Sequence, residues 1–299
     1  MSLLVVGTTA LDSIKTPYAE NPRLLGGSAS HAAIAASFFT KPHLVGAVGD
    51  DFPRKYINLY RKHGLCLEGL EQLSGQTFHW SGEYEVNMNN RRTLDTVLGV
   101  IEGYSPSLTA SYTKLPYVLL ANIAPDVQGR VLDQIRRPKF VVADTMDLWL
   151  NIAREPLLKL LKRIDCLVLN DSEASQLVEE DNVIAAMPRI HKLGPKYVIV
   201  KKGEHGSILS SPKGLFIAPA YPLKKVVDPT GAGDSFVGGL MGYLASSKGS
   251  LEKKLRAGII QGSVTASFCC EGFGLQKTTR IKKADITKRV RELTRMVAW

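Results

Sequence analysis

The stretch Val227-Asp228-Pro229-Thr230-Gly231-Ala232-Gly233-Asp234-Ser235-Phe236 predicts a loop that turns directly into a helix. Pro229 fixes one backbone dihedral angle, and Gly231 and Gly233 permit a positive φ or a close approach. Apolar residues then recur at helical spacing. The first N–H groups of a helix have no carbonyl partners and lie at the positive end of its dipole. This stretch therefore predicts an anion-binding site at the start of a helix.

A carboxylate beside an anion site needs an explanation, and two are open for Asp234. Asp is a common N-cap residue, so Asp234 could simply cap the helix. Alternatively, it could accept a proton from a hydroxyl that attacks a bound phosphate. The local chemistry alone favours the cap.

The same stretch resembles the second signature of the ribokinase/PfkB family of carbohydrate kinases, Asp-x-x-Gly-Ala-Gly-Asp-x-Phe, with every fixed position present. So many specified residues in a fixed order are more specific than a lone glycine motif. The resemblance implies that the amides of Gly231, Ala232 and Gly233 hold the transferring phosphoryl group of ATP. It also implies that Asp234 is the catalytic base.

The composition is that of an ordinary globular protein: 299 residues, 44% hydrophobic and 22% charged, with a net charge of +10. No apolar run approaches the roughly 20 residues of a membrane span, and the first residues read as a buried strand rather than a signal peptide. We therefore expect a cytoplasmic protein without a membrane partner. The basic segment 277–299 predicts the solvated face of a helix, and nucleic-acid binding is the less favoured alternative. The four cysteines lack the spacing of a zinc site.

Short apolar runs alternate with helical patterns along almost the whole chain, which predicts an α/β fold with a largely parallel sheet covered on both faces. The predicted strands are 3–7, 43–48, 117–121, 140–143, 166–169 and 197–200, with a hairpin at 206–218. The predicted helices are 28–39, 52–63, 125–135, 152–161, 172–178, 234–246, 251–270 and 284–296.

One region breaks this alternation. Residues 76–101 predict antiparallel strands that turn at Asn89-Asn90-Arg91-Arg92, and with residues 13–24 they would form a small projecting sheet. The resemblance implies a ribokinase-like three-layer αβα core in one domain, 1–299. It further implies that the antiparallel sheet, about 13–24 and 76–101, is a lid over the acceptor and the contact of a homodimer.

Several residues could bind the acceptor. Asp12 follows the first strand, and its carboxylate could accept two hydroxyl hydrogen bonds, although a lone Asp often only ends a turn. The resemblance assigns Asp12 to the acceptor. Gly26 and Gly27 lead into a helix of small residues and resemble the first family signature, where such glycines let the acceptor approach the backbone.

His31 stands where the family usually has Asn. A neutral histidine can donate and accept hydrogen bonds as Asn does, and the alternative is a packing or capping role. Asn122 and Asp144 each follow a strand and could contact the acceptor or a phosphate-bound metal, with ordinary capping as an equal alternative. Trp80, in the lid, could stack on a nucleobase, and Trp149 is predicted to lie in the core.

The remaining candidates concern the nucleotide and its metals. Asn170 and Glu173 resemble the N-x-x-E element that orders Mg²⁺, although Asp171 or Ser172 could instead be an N-cap there. Lys201 and Gly203 lie where the family contacts nucleotide phosphates. Other positions follow from the resemblance as well: Asp228 and Thr230 for a monovalent cation such as K⁺, and Gly262 for the adenine pocket.

A P-loop motif and a protein-kinase motif set are both absent from the sequence. The resemblance therefore predicts an ATP-dependent, Mg²⁺-requiring kinase for a sugar or polyol, with a nucleoside as the second choice. The rival from another class is a sensor that binds a sugar or nucleotide without turnover. The intact Asp234 argues against a sensor, which has no need of a base.

Overall fold

The computed structural model describes residues 2–298, whose strands form two sheets. The strands are β1 (Leu3–Val6), β2 (Ala10–Thr16), β3 (Ala19–Gly26), β4 (Pro42–Val48), β5 (Cys66–Gln72), β6 (His79–Tyr84), β7 (Arg91–Val97), β8 (Tyr117–Leu120), β9 (Phe140–Asp144), β10 (Cys166–Asn170), β11 (Tyr197–Lys201), β12 (Ser207–Ser211) and β13 (Gly214–Ala218).

Nine strands form the central sheet in the order β13-β12-β11-β10-β9-β8-β1-β4-β5. All neighbours from β11 to β5 are parallel, and β12 and β13 add an antiparallel hairpin at one edge. Successive residues of β1 alternate between two apolar clusters, because Leu3 and Val5 face one side and Leu4 and Val6 the other. A sheet buried on both faces explains why its strands are continuous apolar runs. The predicted α/β class is confirmed.

Ten helices cover the two faces: α1 (Ser28–Ser37), α2 (Arg54–Lys62), α3 (Pro125–Gln134), α4 (Asp147–Ile152), α5 (Arg154–Leu161), α6 (Asp171–Val178), α7 (Val183–His191), α8 (Ala232–Ser246), α9 (Leu251–Cys269) and α10 (Lys283–Val297). Helix α8 packs between α1 and α9 through glycines. A Cβ on Gly238 would collide with Ala32 O, and one on Gly262 would lie 2.5 Å from Phe236 O. These close contacts fix the start of α8 beside the start of α1. None of the described helices is long and apolar enough to cross a membrane.

The second sheet is the predicted lid, with the strand order β3-β2-β6-β7. The pairs β2–β3 and β6–β7 are antiparallel hairpins, but β2 and β6 run parallel, so the sheet is not antiparallel throughout. Its first hairpin extends beyond the predicted range, from Ala10 to Gly26, whereas β6 and β7 lie within the predicted range 76–101, from His79 to Val97.

The predicted hairpin turn was displaced. Residues 85–90 make the connection, because the Asn87 side chain accepts the amides of Asn89 and Asn90 at 3.0 Å. Arg91 and Arg92 therefore belong to β7 and pair with Tyr84 and Glu83 of β6.

Other elements were missed or merged. Strand β5 was not predicted, because Glu68, Gly69 and Glu71 interrupt its apolar pattern at a sheet edge. Helix α7 was also missed, and it contains Pro188. The predicted helix 152–161 is the second of two short helices, α4 and α5.

Candidate active site

Helix α8 begins as its motif predicts, with Gly231 at the N-cap and a φ of 77°. Ser235 N–H donates to Gly231 O at 2.8 Å, and Ala232 N–H donates to Pro229 O at 3.0 Å. The Ala232 amide is therefore used inside the loop, which corrects its predicted role in holding phosphate. The amides of Gly233 and Asp234 lie in the first turn, where a helix provides no carbonyl acceptor. Asp234 is the third residue of the helix rather than its N-cap.

Asp228 anchors the loop before the helix. Its Oδ1 accepts from Thr230 N and its Oδ2 from Gly274 N, both at 2.9 Å, and the side chain is fully buried. Burial raises the pKa of Asp228, and the hydrogen bonds from Gly274 and Thr230 oppose that rise. A buried carboxylate whose partners are backbone amides leaves negative charge near the loop, which fits a monovalent cation held by Asp228 and neighbouring carbonyls.

A charged cluster lies beside the first turn of α8. Lys201 Nζ, at the end of β11, donates to Asp144 Oδ1 at 3.1 Å and Oδ2 at 3.2 Å. A Cβ on Gly233 would lie 3.1 Å from the same Nζ. Burial opposes the charge of Lys201, but Asp144, Glu173 and Asp234 together raise its pKa. Lys201 is therefore a permanent cation at the predicted phosphate site.

Burial raises the pKa of Asp234, and the positive charges of Lys201 and Arg91 pull it back. Burial likewise raises the pKa of Asp144, against the attraction of Lys201. Asp234 is thus a carboxylate with more affinity for a proton than an exposed one, as a general base requires.

Asn170 and Glu173 are bound to each other in a capping box at the start of α6. Glu173 N–H donates to Asn170 Oδ1, and Asn170 N–H donates to Glu173 Oε2, both at 2.7 Å. Asn170 is thus the N-cap, rather than Asp171 or Ser172 as in the capping alternative, and its side-chain oxygen accepts the Glu173 amide. Burial raises the pKa of Glu173 to about 7.

Of the two residues predicted to order Mg²⁺, only Glu173 keeps a side-chain oxygen outside the capping box. Within residues 2–298 no group of three or more His, Cys, Asp or Glu side chains could hold a metal alone. Mg²⁺ takes one or two carboxylates and completes its shell with waters and phosphate oxygens. Glu173 Oε1, which the capping box leaves unused, therefore fits a hydrated Mg²⁺ that also binds the nucleotide.

Gly203 and Gly262, the two remaining residues predicted to contact the nucleotide, have different surroundings. Gly203, with a φ of 54°, starts a short 3₁₀ turn after β11, and a Cβ there would lie 3.9 Å from Asn89 Oδ1 in the lid. Gly262 is buried between α8 and α9, so helix packing accounts for this glycine. We therefore remove Gly262 from the predicted adenine pocket.

Asp12 occupies the acceptor side of the site. Its Oδ2 accepts from Gly27 N at 3.2 Å, and its Oδ1 is buried without a partner among the described residues. Burial raises the pKa of Asp12 to about 7, against the Gly27 hydrogen bond and with the help of Asp234 and Asp228. A buried oxygen without a partner costs free energy until a donor reaches it, which is what an acceptor hydroxyl supplies.

Gly26 and Gly27 are needed for packing within the protein, whereas the resemblance implied that they let the acceptor approach the backbone. A Cβ on Gly26 would collide with the Asp12 carboxylate, and Gly27, with a φ of 88°, lies so close to Thr8 O that a Cβ would be 2.5 Å away. These glycines therefore make room for the protein's own Asp12 and Thr8.

His31 lies directly against the anion loop. Its ring occupies the place where a Cβ of Gly231 would be, and its Nδ1 is 3.7 Å from Cys269 Sγ. Burial lowers the pKa of His31 to about 4, so the ring is neutral at pH 7. Its Nε2 is buried and has no partner in the part of the chain that the structure describes.

Asn122 is occupied by other side chains. Trp149 Nε1 donates to Asn122 Oδ1 at 2.7 Å, and Asn122 Nδ2 donates to Met146 Sδ at 2.9 Å. The predicted acceptor contact of Asn122 is therefore not supported. Trp149 is partly exposed in α4 rather than in the core, because its indole orients this amide.

The lid contributes aromatic side chains on its inner face. The Trp80 ring lies across Gly82, and its Nε1 donates to Thr93 Oγ1 at 3.3 Å. Tyr84, which is buried, accepts a hydrogen bond from Thr230 Oγ1 at 3.1 Å, so the lid rests on the anion loop. Tyr84 and Arg91 carry no motif in the sequence, and only the hairpin register brings them here.

A helix N-terminus, a buried carboxyl group in its first turn and a second buried carboxyl group in the lid form an arrangement suited to phosphoryl transfer to an alcohol. The profile described as pfkB family carbohydrate kinase matches residues 15–282, and the chain belongs to this family.

Relatives and solved structures agree with this membership. The chain is 28% identical to the cytidine kinase of Thermococcus kodakarensis over 268 residues, which cover 87% of this chain and 94% of the relative. The nucleoside kinase structure of Methanocaldococcus jannaschii superposes with a TM-score of 0.77 at 21% identity, covering 97% of this chain and 98% of that one. A fructokinase from Vibrio cholerae, bound to fructose, ADP and calcium, gives 0.79 at 15% identity with the same two coverages.

Proposed function

We propose that this kinase transfers the γ-phosphate of ATP to a hydroxyl of a sugar or polyol that Asp12 holds in front of Asp234. The observation that carries the proposal is the buried Asp12 Oδ1 without a partner. The charge of Asp234 helps to raise the pKa of Asp12, so the two carboxyl groups are within electrostatic reach of each other.

The proposed mechanism uses groups already in place. Asp12 orients the acceptor, and Asp234 takes the proton of the attacking hydroxyl. The amides of Gly233 and Asp234 and the ammonium of Lys201 neutralise negative charge on the transferring phosphoryl group. Bound through Glu173, Mg²⁺ would supply further charge neutralisation at the nucleotide phosphates.

A specific observation supports a nucleoside as the second candidate. The indole of Trp80 lies on the inner face of the lid with Ile14 and Tyr84. A nucleobase could stack on such a ring, whereas a free sugar has little need of it. The cytidine kinase relative points the same way.

A panel of acceptors tests the proposal. ADP release is measured with pentoses, hexoses, polyols and nucleosides, for the native protein, Trp80→Ala and the control Tyr18→Ala, which removes an exposed lid aromatic. Turnover with a sugar, equal in both variants, supports the first candidate. Turnover only with nucleosides, with a raised KM in Trp80→Ala alone, supports the second. ATP binding without ADP release for any acceptor contradicts both and supports a sensor.

The metals can be tested in the same assay. We expect chelation to abolish turnover, Mg²⁺ to restore it, and K⁺ to increase it through the Asp228 loop. Turnover that is independent of divalent cations would contradict the role of Glu173. Loss of Mg²⁺ response in Glu173→Gln, with ATP binding retained, would support it.

The homodimer and the cytoplasmic location stay predictions. The lid exposes Tyr18, Val86 and Leu94, and apolar side chains of this kind are typical of a contact between copies. Sedimentation of the native protein and of Leu94→Glu tests the dimer, which should dissociate in the variant.

A further inference from the structure

The lid hairpin extends across the acceptor side to the phosphate side of the site. Its Tyr84 bonds to Thr230 in the anion loop, and its turn residue Asn89 lies beside Gly203 after β11. Arg91 is the cross-strand partner of Tyr84, so its side chain lies on the same face of the lid hairpin as Tyr84.

Positive charge is scarce where the nucleotide phosphates would lie. Asp144, Glu173 and Asp234 contribute three carboxylates, and Lys201 is already engaged with Asp144. A triphosphate adds more negative charge to this cluster. The charge of Arg91 lowers the pKa of both Asp234 and Glu173, so its guanidinium is within electrostatic reach of the base and of the magnesium ligand.

The present partner of Arg91 is weak. Arg91 Nη2 is 3.7 Å from Asp147 Oδ1, and the two side chains are 41% and 61% exposed. An ion pair this exposed and this long contributes little, because solvent screens both charges. A guanidinium binds phosphate oxygens more strongly, through paired charge-assisted hydrogen bonds.

The neighbouring arginine has a different environment. Arg92 Nη2 is 2.7 Å from Glu83 Oε2, and Glu83 also pairs with Lys15 at 2.9 Å. Arg92 thus has a close partner within the lid and points to the other face of the strand. The two arginines therefore provide a matched pair for an experiment.

We propose that Arg91 contacts the terminal phosphate of ATP when the lid is seated, and so acts as a catalytic residue supplied by the lid. The inference rests on the proposed function. Because the lid also covers the acceptor, Arg91 would complete the charge around the phosphoryl group only when the acceptor site is closed. Transfer to water would then be slow with an open lid.

The test measures binding of ADP and of a non-transferable ATP analogue by calorimetry, in the native protein, Arg91→Gln and Arg92→Gln. We expect Arg91→Gln to bind ADP normally and to lose about tenfold or more of its affinity for the analogue. We also expect kcat to fall on the order of a hundredfold with any acceptor that turns over. Arg92→Gln should match the native protein in all three measurements.

A third variant distinguishes phosphate contact from a simple latch. Asp147→Asn removes the present partner of Arg91, so analogue affinity should stay equal or increase. Equal losses in Asp147→Asn and Arg91→Gln would overturn the proposal, as would an equal loss of ADP and analogue affinity in Arg91→Gln. An effect confined to acceptor KM would also overturn it.

The binding measurement needs no acceptor, so the two proposals can fail separately. Native protein that binds the analogue but releases no ADP with any acceptor contradicts the kinase mechanism. The difference between the two arginine variants in analogue affinity still decides the role of Arg91 in that case.

Discussion

The two sides of the site are built in opposite ways. The phosphate side depends on the backbone of residues 231–234, a few consecutive residues at the start of a helix that is packed on both flanks. The lid side depends on side chains from three strands, including Asp12, Trp80, Tyr84 and Arg91. The first arrangement is local and rigid, and the second exists only when the lid sheet has its register. We infer that the phosphate side fixes the reaction and that the lid side selects the acceptor.

The largest expected effect is on the phosphate side. Asp234→Asn keeps the shape of the side chain but removes the base, so kcat should fall at least about a hundredfold while ATP affinity is retained. Steady-state kinetics and nucleotide titration measure both quantities. Asp133→Asn is the control, because it removes an exposed carboxylate of α3 that pairs with Arg163. Near-native turnover in Asp234→Asn would contradict the assignment of the base.

The next effect concerns Lys201, and Lys202→Met is its matched control. Lys201→Met removes the cation that binds Asp144. In the native protein this cation lowers the pKa of Asp234. The pKa of Asp234 should therefore rise further, and since the base acts deprotonated, the acidic limb of the pH–kcat profile should move to higher pH. We expect kcat at pH 7 to fall about tenfold or more. An acidic limb at the native position would contradict the electrostatic role of Lys201.

Asp12→Asn tests the lid side of the site. The variant should bind the acceptor more weakly and should also be more stable than the native protein at pH 8. The pKa of Asp12 is about 7 in the folded state against 3.8 in the unfolded chain, so the folded state retains a proton that the unfolded state releases. The free energy of unfolding should therefore fall as pH rises from 3.8 to about 7. At pH 8 the loss of stability from the charged Asp12 is complete. Removing the charge should then raise the free energy of unfolding at pH 8 by about 1–3 kcal/mol.

The same variant should raise the acceptor KM about tenfold, since it removes the charge of the carboxylate whose free Oδ1 would accept a hydroxyl of the acceptor. Denaturant unfolding at pH 8 and at pH 4 measures the stability change, which should be smaller at pH 4. A variant that is less stable than the native protein at pH 8 would show that the Asp12 charge is compensated in the fold.

The smallest effect is expected for Tyr84→Phe, which removes one hydrogen bond between the lid and Thr230. A neutral hydrogen bond contributes about 1 kcal/mol, so acceptor KM should rise only a few-fold with kcat nearly unchanged. Limited proteolysis in the hairpin turn 85–90 should become faster, because the lid is seated less often. Tyr18→Phe, in the other lid hairpin, should change neither measurement.

Sequence patterns predicted the phosphate side better than the lid side. Asp234, Gly231 and Gly233 were identified from consecutive residues, and Lys201 from its place after a strand. Arg91 was assigned to a turn, because the polar run Asn89–Arg92 does not reveal that Asn87 makes the turn earlier. One residue of register decides whether an arginine faces the site or the solvent.

Polar residues at strand ends were the other source of error. Asn122 and Asn170 were predicted to bind ligands, but each is bound to neighbouring protein groups. The sequence neighbours of Asn122 cannot show this, because its partner Trp149 is in helix α4, 27 residues further along the chain. For Asn170 the capping box was visible as an alternative, and its geometry decided in favour of the cap.

The sequence by itself determined the α/β core, the helix that follows Gly231 and the carboxyl group of Asp234 in its first turn. Apolar periodicity and consecutive glycines act over a few residues, so their consequences can be read locally. Tertiary structure alone decided that Asp12 keeps one oxygen without a partner and that His31 lies on the anion loop. It also decided which lid arginine lies on the same face as Tyr84. These features depend on packing between residues far apart in the chain, where burial and strand register, rather than residue type, set the charge and direction of a side chain.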